Sequence, residues 1–234
     1  MSVEFFEKAI VSSVSFTSPR AWAFILLGIH EYLQRFHGDR LVRNCLQVLA
    51  TRLHDLYKVN TDAEWLWFES SLTYCDAQLP HALLVSGHDL NNKEMLKAGI
   101  DALKWLVKIQ TSTRGHFQPV GSDGAYQRGG VKPVFDQQPV EAYSTVSACL
   151  EAYRVTKDKA WHDEASKAFQ WFLGGNDLGI SLYDPVTGGC CDGLHIDRVN
   201  RNQGAESTLS FLLSLTEMTH MGNILESLKE PLEE

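Results

Sequence analysis

The stretch Val155-Thr-Lys-Asp-Lys159 separates an apolar segment, residues 139–154, from a second segment that ends in Ala168-Phe-Gln-Trp-Phe172. Apolar residues in both segments recur at the spacing of one helix face. Asp158 stands just before the second segment, where its carboxylate can accept a backbone N–H that the first turn of a helix leaves unpaired. The stretch therefore predicts two helices joined by a short turn.

The same plan occurs at two earlier places, where the turns are Phe36-His-Gly-Asp-Arg40 and Asp89-Leu-Asn-Asn-Lys93. Asp39 and Asn92 take the capping position of Asp158. The first helices of these pairs are predicted at residues 21–35, 80–87 and 139–154, and residues 206–218 look like the first helix of a fourth pair. Since alternating strand patterns never persist, the fold class is predicted as all-α, built of helical hairpins.

Long connections join one predicted hairpin to the next, at residues 58–76, 110–138 and 174–204. Loops of this length usually carry function. An open helical solenoid for protein binding would stack hairpins by the same physics, but such solenoids keep short loops and a regular period. The uneven repeat favours an (α/α) toroid whose loops emerge at one end and form a pocket there.

Composition excludes several functions. Lys and Arg number 21 against 29 Asp and Glu, a formal charge of −8 without a basic patch, which argues against nucleic acid. No signal peptide is recognisable at the start, and the longest apolar run is too short for a membrane span, so a cytoplasmic location is expected. Five cysteines without framework spacing are expected to be reduced thiols. The whole chain, residues 1–234, is predicted to form a single domain.

Several strings resemble a helical domain found alongside prokaryotic glycosyltransferases, which is similar to the six-hairpin (α/α) toroids of glycoside hydrolases and sugar 2-epimerases. The resemblance covers about residues 18 to 215. It implies a toroid fold and a carbohydrate ligand. The strings are Trp65-Leu-Trp-Phe-Glu69, Leu72-Thr-Tyr-Cys-Asp76, Phe135-Asp-Gln-Gln-Pro-Val-Glu-Ala142, Leu182-Tyr-Asp-Pro-Val-Thr-Gly-Gly-Cys190 and Asn202-Gln-Gly-Ala-Glu-Ser-Thr208.

The predicted ring is incomplete, because about four hairpins can be placed where a complete ring has six. A shortened toroid, a fragment of a longer polypeptide, and a ring completed by a second copy in a homodimer are all compatible with this count. A glycosyltransferase is a further expected partner, and no membrane partner is expected.

Hydrolysis of a glycosidic bond needs two carboxyl groups across the substrate. Asp136 is predicted as the first, because Gln137 and Gln138 beside it offer hydrogen-bonding groups that a helix cap does not require. Asp76 or Glu206 is predicted as the second. Glu206 could instead cap its own helix, and Asp76 could either cap a helix or accept hydroxyl groups at a pocket floor.

Sugar binding combines aromatic faces with amides and carboxylates. Trp67 could cover a sugar face, but a large aromatic is more often core, and at least one of Trp65, Trp67 and Phe68 must be. Glu141 could equally be half of a capping box, and the string from Asp184 to Gly189 is first of all a turn signature. The predicted substrate-binding residues are Trp67, Glu69, Tyr74, Gln137, Gln138, Glu141, Tyr183, Asp192, Asn200, Asn202 and Gln203.

Other chemistries are less well supported. Cys190, Cys191, Asp192 and His195 lack the separated ligand pairs of a zinc site, so no metal is expected. Gly121-Ser-Asp-Gly124 lacks the Lys-Ser/Thr ending of a phosphate loop, so no cofactor is expected.

The first hypothesis is a carbohydrate-active protein that binds an oligosaccharide or sugar conjugate and hydrolyses a glycosidic bond. The second is a sugar epimerase or isomerase, with His81, His116 and His195 as candidate proton shuttles. The third is a non-catalytic accessory domain of a glycosyltransferase.

Overall fold

The computed structural model describes residues 2–227. Within this range the predicted hairpins are observed. The helices are α1 at Ser2–Ser13, α2 at Pro19–Arg35, α3 at Arg40–Asn60, α4 at Gln78–Asp89, α5 at Lys93–Ile109, α6 at Pro139–Thr156, α7 at Lys159–Gln170 and α8 at Ala205–Ser227. The strands are two residues each, β1 at Ser71–Leu72, β2 at Tyr126–Gln127, β3 at Gly193–Leu194 and β4 at Val199–Asn200. The all-α class is confirmed, although α1 was not anticipated. Of the predicted single domain, Met1 and residues 228–234 lie outside the described residues.

The predicted caps are confirmed by their hydrogen bonds. The Asp39 carboxylate accepts from the backbone N–H groups of Leu41 and Val42 at 2.9 and 3.0 Å. Asn92 accepts from two N–H groups of α5, at 3.1 Å each, and Asp158 accepts from Ala160 at 3.0 Å. Pro19 and Pro139 lie in the first turns of α2 and α6, where a proline's missing N–H costs nothing.

The chain divides into two compact units, one ending at Leu106 and the other beginning at Val107. In the first unit α2 packs against α3 and α4. Its core includes Leu26, Ile29, Leu49 and Leu53, all of them fully buried. Helices α4 and α5 approach closely, because a Cβ on Gly99 would lie 2.9 Å from the Leu84 side chain. A larger residue at position 99 would therefore push this hairpin apart.

In the second unit α6 packs against both α7 and α8. Polar residues on α6 are buried with partners, since Thr145 donates to the Gln110 side chain at 3.1 Å and Ser147 donates to Glu217 at 2.8 Å. Strands β3 and β4 form an antiparallel pair with Gly193 opposite Asn200 and Leu194 opposite Val199. No helix within residues 2–227 combines the length and apolar character needed to cross a bilayer.

Candidate active site

The two long loops of the second unit meet at one point. Gln137, just before α6, exchanges backbone hydrogen bonds with Leu194 in β3, both at 2.9 Å. The neighbouring Gly193 has no room for a side chain, because a Cβ there would lie 2.8 Å from the Gln137 carbonyl oxygen. The segment that contains Asp136 is thereby held against the β3–β4 hairpin.

Asp177 anchors this junction, and sequence reasoning missed it. Its carboxylate accepts hydrogen bonds from the side chains of Gln137 at 2.6 Å, Gln118 at 2.8 Å and His116 at 3.1 Å. Burial alone would raise the pKa of Asp177, but these donors outweigh it and lower the pKa. Asp177 carried no sequence signal because its donors come from two other stretches of the chain.

Lys132 ties down the same loop. Its ammonium group donates to the carbonyl oxygens of Ile109 and Gln118 and to the Gln118 side chain, each at 3.0 Å. Burial lowers the pKa of Lys132 to about 8, and the charge of Asp177 opposes that shift. The loop between α5 and α6 is thus held by buried polar contacts instead of regular secondary structure.

Gln137 forms part of this framework. It is fully buried, its Oε1 accepts from the Trp171 indole N–H at 2.7 Å, and its amide nitrogen donates to Val134 and Asp177 at 3.1 and 2.6 Å. Both side-chain donors and the acceptor are therefore engaged within the protein. Because Gln137 is fully buried, its side chain exposes no atom to the cleft in this structure.

Asp136 faces a cleft of about 410 Å³ and is hydrogen-bonded to Nδ1 of His195. The carboxylate is 46% exposed and the imidazole 25%, so both remain accessible to a ligand. The cleft is lined by Asp123, Pro133, Val134, Phe135, Asp136, His195, Ile196, Asp197 and Arg198. An imidazole that holds a carboxylate in an open cleft is a recurring arrangement for moving a proton.

The carboxyl groups that share this cleft with Asp136 are Asp123 and Asp197. Asp197 forms an ion pair with Arg198 at 2.8 Å. Glu206 is exposed in the first turn of α8 and does not line the cleft. Sequence reasoning missed Asp123 and Asp197 because each lies in a short polar turn without a helix signal.

A groove of about 470 Å³ forms between the loop after α7 and the segment that leads into α8. It is lined by Ile180, Ser181, Leu182, Tyr183, Asp184, Pro185, Cys191, Val199, Arg201 and Gln203. The predicted turn is confirmed, because the Asp184 carboxylate accepts from the Val186 N–H at 2.9 Å and Gly188 has a φ of 75°. Tyr183 packs on Phe211 with ring centroids 4.5 Å apart.

Asp192 and Asn200 shape the segment that leads into α8. The Asp192 carboxylate accepts from the Gly204 N–H at 2.7 Å. The backbone N–H of Asp192 donates to the carbonyl oxygens of Asn200 and Asn202 at 3.0 and 2.8 Å. Asn200 accepts from the Asn202 N–H at 3.2 Å. Asn202 itself is exposed. Of the binding residues predicted in this segment, Gln203 lines the groove.

In the first unit, Asp76 is buried beside Arg20. The two side chains pair at 2.9 Å, and Asp76 also accepts from the Thr73 N–H at 3.1 Å. Burial raises the pKa of Asp76 to about 6 against the opposing charge of Arg20. Helix α4 has Ala77 at its N-cap, so the capping alternative for Asp76 does not hold.

Arg20 also binds Glu69 and the Tyr74 carbonyl oxygen, the latter at 2.6 Å. These contacts attach the start of α2 to the loop before α4. Glu69 is 29% exposed and the Tyr74 residue 40%, so both retain some surface. Their main observed role is to hold the loop.

The aromatic residues of that loop are core. Trp65, Trp67 and Phe68 are 4%, 0% and 0% exposed, and Trp67 packs on Trp105 at 5.8 Å. All three are therefore core residues, which is the alternative to sugar binding given in the sequence analysis. Trp67 offers no surface to a sugar, because its ring is enclosed by Phe68 and Trp105.

At the start of α6, Gln138 is the N-cap residue and is partly exposed, whereas Glu141 is 4% exposed. The Gln138 side chain makes no capping hydrogen bond to the helix. Gln138 thus keeps surface that a ligand could reach, and Glu141 keeps almost none.

The histidines and cysteines separate into distinct environments. His195 lines the Asp136 cleft, while His116 lines another cleft, of about 290 Å³. All five cysteines are buried free thiols, and burial raises the pKa of Cys190 to about 12. Within residues 2–227 no group of three His, Cys, Asp or Glu side chains is arranged to hold a metal ion.

No protein-family model matches the sequence, and no curated protein is significantly similar to it. Solved structures do resemble it. The GH76A alpha-1,6-mannanase of Salegentibacter sp. has a TM-score of 0.61 at 14% identity over 86% of this chain. A GH76 alpha-mannanase of Bacteroides thetaiotaomicron gives 0.62 at 15% over 88%. An unsaturated glucuronyl hydrolase specific for heparin gives 0.56 at 12% over 91%.

These similarities confirm the predicted fold class, that of the six-hairpin (α/α) toroid hydrolases. The chain spans 55% and 57% of the length of the two mannanases and 77% of the glucuronyl hydrolase. An inactive variant of the Salegentibacter mannanase, with two consecutive aspartates replaced by asparagine, was solved in complex with alpha-1,6-mannotriose and has a TM-score of 0.57.

Proposed function

We propose that this chain is a carbohydrate-active protein that binds an oligosaccharide or sugar conjugate at the cleft around Asp136 and His195. The observation that carries the proposal is this pair, accessible in a cleft built by two converging loops. Support also comes from the fold, which the chain shares with hydrolases of mannan and glucuronyl substrates. One of those hydrolases binds a mannose trisaccharide.

The proposed reaction is hydrolysis of a glycosidic bond with Asp136 as general base. Asp136 takes a proton from a water molecule, and the water oxygen bonds to the anomeric carbon as the glycosidic bond breaks. A second carboxyl group gives a proton to the leaving oxygen. Asp123 is the proposed source of that proton, since it lines the same cleft as Asp136.

His195 positions the base in this proposal. Its Nδ1 bonds to Asp136, and its backbone N–H donates to the Arg198 carbonyl oxygen at 2.8 Å, which fixes the residue at the end of β3. A positioned histidine orients one carboxylate oxygen and leaves the other for water.

The test is turnover of a glycan panel that includes alpha-1,6-mannotriose, measured as release of reducing sugar. Asp136→Asn should lower turnover by about 10²- to 10⁴-fold. Asp55→Asn is the matched control, because Asp55 is an exposed carboxylate, 59% accessible, that lies in the first unit. Full activity of Asp136→Asn would remove Asp136 from the mechanism.

A non-catalytic accessory role is the second candidate. It is favoured by the absence of two adjacent aspartates anywhere in the sequence, in contrast to the pair replaced in the inactive mannanase variant. Glycan binding without turnover, together with association with a glycosyltransferase or a second copy of the chain, would support this role over hydrolysis.

The epimerase hypothesis receives less support from the geometry. It needs two histidines at one sugar, and His116 and His195 line different clefts of the second unit. Exchange of solvent deuterium into free sugars would support the epimerase hypothesis.

A further inference from the structure

The groove that contains Tyr183 also contains a cation, Arg201, that has no partner among the described residues. Arg201 is exposed, lines the groove and makes no ion pair or hydrogen bond with any residue in the range 2–227. Arg198, which lines the Asp136 cleft, instead forms an ion pair with Asp197 at 2.8 Å. An uncommitted guanidinium in a concave site is available to an anionic ligand.

The Asp184 carboxylate lines the same groove but does not form an ion pair with Arg201. One oxygen accepts from the Val186 N–H at 2.9 Å and the other from the Gln203 amide at 3.1 Å. The backbone hydrogen bond from Val186 is the largest cause of a lowered pKa of Asp184, followed by that from Gln203. Asp184 is thus engaged in shaping the turn, and Arg201 is left facing the groove.

The walls of the groove are preorganised. Gln203 also accepts from the Thr187 hydroxyl at 2.8 Å, which joins the turn after Asp184 to the segment before α8. A Cβ on Gly189 would lie 2.3 Å from the Gln203 side-chain oxygen, so a larger residue at position 189 would displace the Gln203 side chain. A groove that is already formed costs little to order when a ligand enters it.

Tyr183 adds an aromatic and polar contact in the same groove. Its ring is held nearly parallel to Phe211, at 22°, and Phe211 stacks in turn on Phe169 at 6.1 Å. The Tyr183 hydroxyl makes no hydrogen bond within the described part of the chain. An aromatic edge, a free hydroxyl and a free guanidinium together suit a sugar ring that carries a negative charge.

We propose that the groove lined by Tyr183 and Arg201 binds an anionic sugar unit, one that carries a carboxylate or a phosphate, with Arg201 as the residue that selects the charge. This inference rests on the proposed function and names the substrate class for it. The carboxylate of a hexuronic acid matches the planar guanidinium in a two-point contact, and a sugar phosphate offers the same contact.

The experiment uses the whole chain and sugars that differ only at the sixth carbon. Methyl glucuronide, methyl glucoside and methyl glucoside 6-phosphate, all of one anomer, are titrated, and binding is followed by NMR. At least one anionic sugar should bind about tenfold or more tightly than the neutral glucoside. Arg201→Gln should remove that preference, while the matched control Arg35→Gln, at an exposed position near the end of α2, should keep it.

The outcomes separate the two proposals. If the neutral and anionic sugars bind equally, or if Arg201→Gln keeps the preference, the inference about charge is overturned and sugar binding stands. If no sugar binds, both fall. If the preference depends on Arg201, the tighter of glucuronide and phosphate identifies the natural group.

Discussion

Two carboxylates that the sequence presented as equivalent lie in opposite environments. Asp76 is 1% exposed and paired with Arg20 in the first unit, while the side chain of Asp136 is 46% exposed and paired with His195 in the second. A buried carboxylate with a permanently charged partner supports the fold, whereas an accessible one with a titratable partner is suited to chemistry. Exposure and partner, and not residue type or loop composition, separate the two roles.

The largest expected effect is on stability and concerns the buried pair of Arg20 and Asp76. Arg20→Met leaves Asp76 buried without its cation, so the free energy of unfolding should fall by about 3–5 kcal/mol. Urea denaturation measures the change. Lys8→Met is the control, because the exposed pair of Lys8 with Glu4 should contribute less than about 0.5 kcal/mol. A loss below about 1 kcal/mol for Arg20→Met would break the contrast, and the double variant Arg20→Met with Asp76→Asn should recover most of the loss.

The next effect concerns the framework under the proposed cleft. Asp177→Asn places an N–H donor among the three donors that now converge on the carboxylate, so stability should fall by about 2–3 kcal/mol. Thermal unfolding measures it. Asp163→Asn, at an exposed position, serves as the matched control. Equal melting temperatures for the two variants would show that the junction does not depend on Asp177.

Lys132 gives a smaller effect with a defined pH window. Its pKa is lowered from 10.5 to about 8, so between those pH values the unfolded chain binds more protons than the folded one, and stability rises with pH. Relative to Lys132→Met, the wild type should gain about 1–2 kcal/mol between pH 8 and 10.5, after allowance for solvent screening. Urea denaturation of both proteins across that range measures the gain. Lys97→Met, at an exposed position, should show no such slope, and a loss where a gain is expected would contradict the assignment.

The smallest expected effect is the change in stability when Asp136, the accessible carboxylate, is replaced. Asp136→Asn keeps an oxygen that can accept from His195 and leaves a partly exposed position, so the free energy of unfolding should change by less than about 0.5 kcal/mol. Differential scanning calorimetry measures it. A large destabilisation would place Asp136 with Asp76 among the structural carboxylates, and any loss of turnover would then have to be read as loss of fold.

Local sequence information was sufficient for helices α2 to α8. The caps at Asp39, Asn92 and Asp158 and the prolines at positions 19 and 139 mark helix starts by hydrogen bonding within a few residues, so they could be read without tertiary structure. Helix α1 was missed because its sequence has no cap signal and its residues are mostly exposed.

The site was only partly readable. Asp136, Tyr183 and Gln203 were named from loop composition, and they line clefts of the second unit. Gln137 and Trp67 were named on the same grounds, yet both are enclosed by residues distant in sequence, Trp171 and Trp105 among them. Asp177 and Arg201 went unnoticed, since the first is defined by three distant donors and the second by the absence of a partner among the described residues.

The sequence by itself determined that the chain forms helical hairpins with long polar connections, because periodicity and capping act within one or two helical turns. Only the tertiary structure decided which carboxylates are buried and which are accessible, and which cation in a groove has no partner among the described residues. Burial and partner choice depend on contacts between segments far apart in the chain, and no local pattern encodes them.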